Sequence, residues 1–555
     1  MYETNNIGNN ESEGITRRDF LKWGAAAGLG MSALSIAGFP DLAEAQKIPG
    51  SKSTLDNTKA TKGGTLRYRF FADPPTLDPN AHISFATYMF SGQVYNKLVR
   101  YDFGEGVDPL NRGLVPDLAE KWEQPDELTY KFHLKKGVKF HNLPPVNGRE
   151  LISDDIKFSL ERHLNPAVSS PVRHYFSELA SIDLPDKHTV ILKTKQPFSP
   201  MINYLASNFS WIVAKEVIER DGDAKKTSIG TGPFILEEYV RNNKIAFKKN
   251  PDYHWNAHPH VDKLEFLIIK DHSQSMAAMR AKQLDINYLY DKMMVDELKK
   301  TNPETKVLKL AGASLFIMFN TEKPPLDNIK VRQAINHAIN RQAINDSVYF
   351  GDSGFTSMIP TVLPEWTLSA DESAHLYRYD PALAKKLMAA SGLPKGTEIT
   401  MNLCEIYGPH IMDTGVLIQE NLKEIGIKGV INRLEYGAYL KAWPEGTFQI
   451  NLGPQVTFIE PDEWTYGQFH SQASRNYSKV KDKDLDKKLE EQRRLFDKVK
   501  RKKLLDEIQR ELAEKAYQLP LTYGVGYYCM QPYVKNFEVP FWYGLALDDT
   551  WLEKA

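Results

Sequence analysis

Gly63-Gly64-Thr65-Leu66-Arg67-Tyr68-Arg69-Phe70 is the stretch from which the fold can be read. Two glycines precede an alternating run. Side chains in a strand point to opposite faces in turn, so the run predicts a strand with one buried face. Similar runs follow at Leu128 to Leu134, Val190 to Lys193, Ile235 to Tyr239, Ile245 to Lys248 and Leu264 to Ile269. Helical patterns stand between them. Ser153-Asp154-Asp155 before Ile156-Lys157-Phe158 predicts a helix start, with a capping oxygen and acids in the first turn. Asp380-Pro381-Ala382-Leu383 predicts another, with Pro at the first helical position and Gly392 near the end. From Val480 to Ala516 the apolar positions Leu485, Leu489, Phe496, Val499, Leu505, Ile508 and Leu512 predict an amphipathic helix or helix pair. Its basic cluster, Lys498, Lys500, Arg501, Lys502 and Lys503, is interleaved with acids and reads as a solvated face. The chain reads as mixed α/β without repeats.

Composition narrows the function. A length of 555 residues suggests about three or four domains or lobes. With 42% apolar and 25% charged residues, disorder throughout is excluded. The 70 basic and 71 acidic side chains leave a net charge of -1, so no nucleic-acid partner is expected. Two cysteines, Cys404 and Cys529, cannot build a disulfide framework or a cysteine-only metal site.

The N-terminus reads as an address. Arg17-Arg18 is followed by Asp19-Phe20-Leu21-Lys22, then by a mildly apolar run from Trp23 to Phe39 and by Ala43-Glu44-Ala45. This order matches a twin-arginine export signal over residues 1–45, cleaved after Ala45. The apolar run is short and glycine-rich, and no cysteine near the cut offers a lipid anchor. Residues 46–62 read as a flexible leader.

Catalytic patterns are thin. The chain holds no phosphate-cradling loop, no H-E-x-x-H and no G-x-S-x-G. Gly230-Thr231-Gly232 lacks the third glycine of a dinucleotide loop and runs into Pro233, so it predicts a tight loop between strands. His254, His258 and His260 could form a metal site, but Asn250-Pro251 and Pro259 mark a turn-rich surface segment, so exposed loop histidines are expected. Glu460, Asp462 and Glu463 could hold calcium or act as acid and base; beside Pro461, a solvated loop is expected.

Further motifs follow along the chain. They include Pro75-Thr76-Leu77-Asp78-Pro79, Tyr95-Asn96-Lys97-Leu98-Val99, Val115-Pro116-Asp117-Leu118-Ala119 and Gly230-Thr231-Gly232-Pro233-Phe234. Asn250-Pro251-Asp252-Tyr253, Val331-Arg332-Gln333-Ala334-Ile335 and Gln518-Leu519-Pro520-Leu521 continue the series. In this order the chain resembles the extracytoplasmic solute-binding proteins of family 5, the peptide, dipeptide and nickel receptors of ABC importers. The resemblance covers about residues 63–550.

That resemblance implies a two-lobe periplasmic binding protein fold of type II. Lobe I is expected from residues 63–103, 227–317 and 522–555, an extra domain from 104–226 and lobe II from 318–521. A soluble periplasmic monomer is expected, without cofactor or catalysis. It would capture an oligopeptide, an opine-like compound or an oligosaccharide in the interlobe cleft and hand it to permease and ATPase subunits. The alternatives are a secreted hydrolase acting on oligopeptides or glycosides, and a metal-carrying receptor. The resemblance points His410, Tyr436, Trp443, Gln455, Thr457 and Phe458 toward the cleft. In the peptide-binding branch an aspartate stands where this chain has Thr457 and holds the peptide's ammonium. A hydroxyl cannot neutralise that charge, so an uncharged polar or partly apolar solute is expected.

Overall fold

The computed structural model describes residues 60–102, 113–255, 258–456, 458–538 and 547–553. The arginine pair Arg17-Arg18, the cleavage point at Ala45, nearly all of the leader, and Thr457 lie outside the described residues.

The opening run is strand β1 (Thr65–Phe70), and its alternate residues Leu66, Tyr68 and Phe70 are buried. After a short two-stranded ladder of Val99–Tyr101 and Leu114–Pro116 come four strands, β2 (Ala119–Asp126), β3 (Thr129–Leu134), β4 (Leu179–Asp186) and β5 (Thr189–Thr194). They form their own antiparallel sheet in the order β2-β3-β5-β4. The chain then supplies β6 (Phe234–Val240), β7 (Lys244–Lys249), β8 (Lys263–Ile268), β9 (Ile286–Leu289) and β10 (Lys306–Phe319). Last come β11 (Thr397–Cys404), β12 (Ile427–Leu434), β13 (Ile450–Pro454) and β14 (Gln518–Met530). With β1 these make the main sheet, ordered β12-β11-β13-β10-β14-β9-β1-β8-β7-β6.

Two strands decide the architecture. β10 has 14 residues and β14 has 13. At about 3.3 Å per residue each runs roughly 45 Å, enough to cross two packed lobes. On one side β9 pairs with the Tyr527–Met530 end of β14. On the other, β13 pairs with the Leu315–Phe319 end of β10. The same antiparallel pair therefore belongs to both halves of the sheet. Its register shifts twice between Ala311 and Phe316, where the halves meet. Such irregularities bend a strand pair.

Local signals held where both partners are near in sequence. Helix Pro381–Ser391 starts with Asp380 accepting the Leu383 N–H at 2.9 Å, and Gly392 ends it at φ 74°. Helix Ser153–Leu164 is capped differently from the expectation. Ser153 is already helical, and its hydroxyl donates to the Asp186 carbonyl; Asp155 instead accepts the Ile152 N–H at 3.0 Å. The charged segment is a helix pair, Lys483–Gln492 and Lys498–Lys515, with Leu485, Leu489, Leu505, Ile508 and Leu512 buried. Val499 departs from the expected apolar face and is 79% exposed in the first turn. Arg501 departs from the expected solvated face and is buried. The Gly230–Gly232 loop connects helix Lys215–Asp221 to β6, not two strands.

Candidate functional site

A cavity opens where the bent strands meet. It encloses about 750 Å³ of atom-free space, part of it open to solvent. Ala313 of β10 and Gly524 and Val525 of β14 line its floor. Tyr68, Arg69 and Phe71 come from the carboxyl end of β1, and Tyr288 and Tyr290 from that of β9. Crevices outside the carboxyl ends of strands are the usual ligand sites of open α/β sheets. The opposite wall carries Tyr407, His410 and Pro454. The walls touch: the Tyr290 and His410 rings are 5.3 Å apart and the Phe71 and Tyr436 rings 5.9 Å.

The electrostatics of the cavity centre on Arg69. It is 3% exposed; among the described residues no carboxylate forms an ion pair with it, although the Asp271 carboxylate favours its charge from farther off. Its Nε donates to the Ile269 carbonyl at 3.0 Å, Nη1 to the Tyr288 carbonyl at 2.7 Å and Nη2 to the Lys270 carbonyl at 3.3 Å. Nη1 also meets His272 Nδ1 at 3.4 Å. A guanidinium has five N–H donors, so one on Nη2 is left uncommitted. Burial lowers the Arg69 pKa, though it stays a cation. Burial pushes His410 down to about 3 and His272 down to about 4, so both imidazoles are neutral at physiological pH.

The residues expected at the cleft are spread over several environments. His410, at the start of helix Pro409–Glu424, lines the cavity, and its Nδ1 makes no hydrogen bond. Tyr436 stands behind the wall, its ring against Phe71 and Tyr407. Trp443 packs on Tyr439 and Tyr477, away from the lining. The Gln455 amide donates to Gln518 Oε1 at 2.7 Å and so ties β14 to the segment after β13. Phe458 lies under the Arg475 guanidinium at 3.7 Å and beside Phe209 and Trp464. The sequence reading missed Arg69 and the tyrosines at 288 and 290. An arginine inside a buried strand was the available signal, since an arginine is almost never fully buried unless it has a partner.

The acidic group is not a solvated loop. Glu460, Asp462 and Glu463 are all fully buried, because arginines far along the chain fold over them. Arg501 pairs with Glu460, Arg493 Nε with Asp462 at 3.1 Å, and Arg475 Nη1 with Glu463 at 3.5 Å. Asn203, Tyr204 and Tyr175, from the region of the four-stranded sheet, donate to Glu460, Asp462 and Glu463 respectively. Arg493 Nη2 also donates to the His174 carbonyl at 2.9 Å. The group is thus a polar seam between that region and the β11–β13 half, each acid paired with an arginine.

Burial pushes Glu463 up to about 8, against an ordinary value near 4.5, with Glu460 and Asp462 adding to the rise. Between those two values the folded chain binds a proton that the unfolded chain does not. Stability from this group is therefore full below the lower value and falls as pH rises toward 8. The urea midpoint is expected to drop between pH 6 and 8 in the wild type. In Glu463→Gln, a neutral isostere, that slope is expected to flatten; an unchanged slope would assign it to another group.

The three histidines do not form one cluster. His254 turns to Asp117, with Nε2 3.6 Å from its carboxylate. His258 and His260 lie together, ring centroids 4.9 Å apart, beside Asp549. Nor are they exposed: the C-terminal segment covers them, and the His260 side chain is 2% exposed.

A family model for the bacterial extracellular solute-binding proteins, family 5 (middle), matches residues 113–477. A twin-arginine translocation signal matches residues 14–33. Di/tripeptide-binding protein 1 of Pseudomonas aeruginosa (strain UCBPP-PA14) is 32% identical over 479 residues, covering 81% of this chain and 87% of that protein. Among solved structures, the ABC transporter-associated periplasmic binding protein DppA from Helicobacter pylori, in complex with the peptide STSA, is 27% identical with a TM-score of 0.80, covering 90% of this chain and 100% of that one. The binding protein AgaA from A.tumefacien R10, in complex with agropinic acid, is 25% identical with a TM-score of 0.80, covering 89% and 99%. The fold is that of the type II periplasmic binding proteins. The export signal accounts for the N-terminal pattern, and no described helix is long and apolar enough to cross a membrane. This chain belongs to the extracellular solute-binding proteins of family 5 and serves as a periplasmic substrate-binding receptor of ABC transport.

Proposed function

We propose that the receptor captures a small solute carrying a carboxylate and flat or apolar faces, such as a peptide-like or opine-like acid. The observation that carries this reading is Arg69, the one formal charge among the described cavity-lining residues. A buried cation without a directly paired carboxylate is costly, and a ligand anion offsets part of that cost on binding. The neighbouring tyrosines offer faces for stacking and hydroxyls for hydrogen bonds. No carboxylate stands among the described lining residues to receive an ammonium. The expectation of an uncharged solute rested on Thr457, with Gln455, Phe458 and Tyr436 in support; Arg69 shifts it toward an anion.

The solute leaves chemically unchanged in this reading. Among the described residues no hydroxyl or thiol nucleophile is in hydrogen-bond contact with the ring of His410, the histidine that lines the cavity, and burial pushes the Cys404 thiol up to about 11. We assign lobe I to residues 63–103, 227–317 and 522–555, the extra domain to 104–226 and lobe II to 318–521. Support comes from the self-contained sheet β2–β5 and from the bend in β10 and β14. Closure about that bend presents the loaded, monomeric receptor to a permease with its ATPase subunits.

Calorimetry with matched ligands tests the carboxylate. An N-acetyl dipeptide acid is compared with its C-terminal amide, with the free dipeptide and with a neutral oligosaccharide. The acid is expected to bind about 10–100-fold more tightly than the amide, the size of a charged hydrogen bond. In Arg69→Met that ratio is expected to collapse toward one, even where overall affinity falls. Equal affinity of acid and amide, or an absolute requirement for the free ammonium, would remove this reading.

A further inference from the structure

We propose that His258, His260 and Asp549 form a site for a late first-row divalent metal ion such as Zn2+, which clips the C-terminal segment onto the start of lobe I. The site is separate from the cleft and does not depend on what the cleft binds.

The distances carry the argument. His258 Nδ1 lies 3.6 Å from Asp549 Oδ1, and His260 Nε2 lies 3.5 Å from the same oxygen. Both are too long for ordinary hydrogen bonds, which centre near 2.9 Å. They are the right length for edges of a coordination shell. Ligand atoms about 2.0–2.2 Å from a tetrahedral zinc stand about 3.3–3.6 Å from one another. One donor atom from each of the three side chains fits within a 4.8 Å span.

A second observation points the same way. Neither ring nitrogen of His260 makes a hydrogen bond, though the side chain is 2% exposed. An orphaned buried imidazole calls for an explanation, and a metal supplies one. His258 Nδ1 has one other polar contact, the Asp548 carbonyl oxygen at 3.2 Å, which coordination through that nitrogen would replace. Two imidazoles and a carboxylate suit zinc, and also copper or nickel, and leave a fourth position for water.

The location gives the ion something to do. The segment 547–553 is held by a two-residue ladder, Trp551–Leu552 against Val534–Lys535, and by single backbone bonds such as His260 N–H to the Asp548 carbonyl at 3.3 Å. On the other side the Gly63 N–H donates to the His260 carbonyl at 2.9 Å, next to the start of β1. A metal would join these contacts into one cross-link between the first and last described parts of the fold.

The mature chain, stripped with chelator, is titrated with zinc sulfate by calorimetry, and with Co2+ by visible absorption. One equivalent is expected to bind, with the intense visible bands of tetrahedral cobalt and a rise in melting temperature. Asp549→Asn, which keeps the side-chain shape, and His258→Ala are each expected to weaken binding at least about tenfold. His254→Ala is expected to bind as the wild type does. No zinc uptake by the wild type, undiminished binding in Asp549→Asn or in His258→Ala, or loss of binding in His254→Ala would overturn the site. Titration of the same samples with the cleft ligands reports separately on the receptor reading, since the two sites share no residue.

Discussion

Asp462→Ala is expected to lower the free energy of unfolding by about 3–5 kcal/mol, measured by urea or thermal denaturation. Asp462 is fully buried and holds three groups at once: the Tyr204 hydroxyl, the Gln492 amide and the Arg493 guanidinium. Removing it leaves the Arg493 charge against the Phe198 and Tyr466 rings without its paired carboxylate. The cost comes from that stranded charge more than from the lost pair. Hence the double variant Asp462→Leu with Arg493→Met is expected to cost less than Asp462→Ala alone, because neither charge is then desolvated unpaired. The surface pair Lys428–Glu398, with both side chains at least 60% exposed, sets the contrast. Breaking it is expected to cost less than about 1 kcal/mol. A similar small cost for Asp462→Ala would mean that water reaches the seam.

The seam also bears on closure. Its acids stand on the β11–β13 side, and Tyr175, Tyr204 and Asn203 reach them from the region of the four-stranded sheet. Opening the cleft by swinging these regions apart would expose all three hydrogen bonds. In the proposed closure about the strand bend, these contacts would hold the closed form without touching the solute, so ligand affinity should fall in Asp462→Ala although Asp462 does not line the cavity.

What could be read from sequence was what is local. The alternation in Thr65–Phe70 gave a strand because a strand's two faces are written into neighbouring residues. Asp380, Pro381 and Gly392 marked both ends of a helix for the same reason. The receptor class was legible from ordered motifs spread along the chain. The chemistry of the interior was not. Glu460, Asp462 and Glu463 look like a loop because their partners are Arg475, Arg493 and Arg501, on later elements that fold back over them. His258 and His260 looked like surface histidines beside His254, while their carboxylate is Asp549, at the far end of the chain. Arg69 sat in plain view within the deciding strand, but nothing in the alternation says which end of a strand faces a cleft.

Gly232→Ala is expected to destabilise the fold by about 3 kcal/mol or more and to abolish solute binding, read by denaturation and calorimetry. A methyl at this position would stand 2.4 Å from the Val94 carbonyl carbon, 2.6 Å from its oxygen and 2.8 Å from the Tyr95 nitrogen. All three atoms are backbone, so no side chain can rotate away. The loop cannot retreat either. Gly232 N–H donates to the Val94 carbonyl at 2.8 Å, and its own carbonyl accepts from Asn250 Nδ2 at 2.9 Å and faces His141 Nε2 at 3.0 Å. The strain must pass into helix Phe85–Val94, whose Phe85 and Met89 line the cavity. That is why a change distant from the solute should reach it. Gly222→Ala is the comparison: it closes helix Lys215–Asp221 at φ 80°, but an added methyl meets nothing within 4 Å. Only the backbone preference is lost there, about 1 kcal/mol, and binding should survive. If Gly232→Ala behaved like Gly222→Ala, the close approach at Val94 would not be a constraint on the fold, and the helix would be free to move without disturbing the cavity.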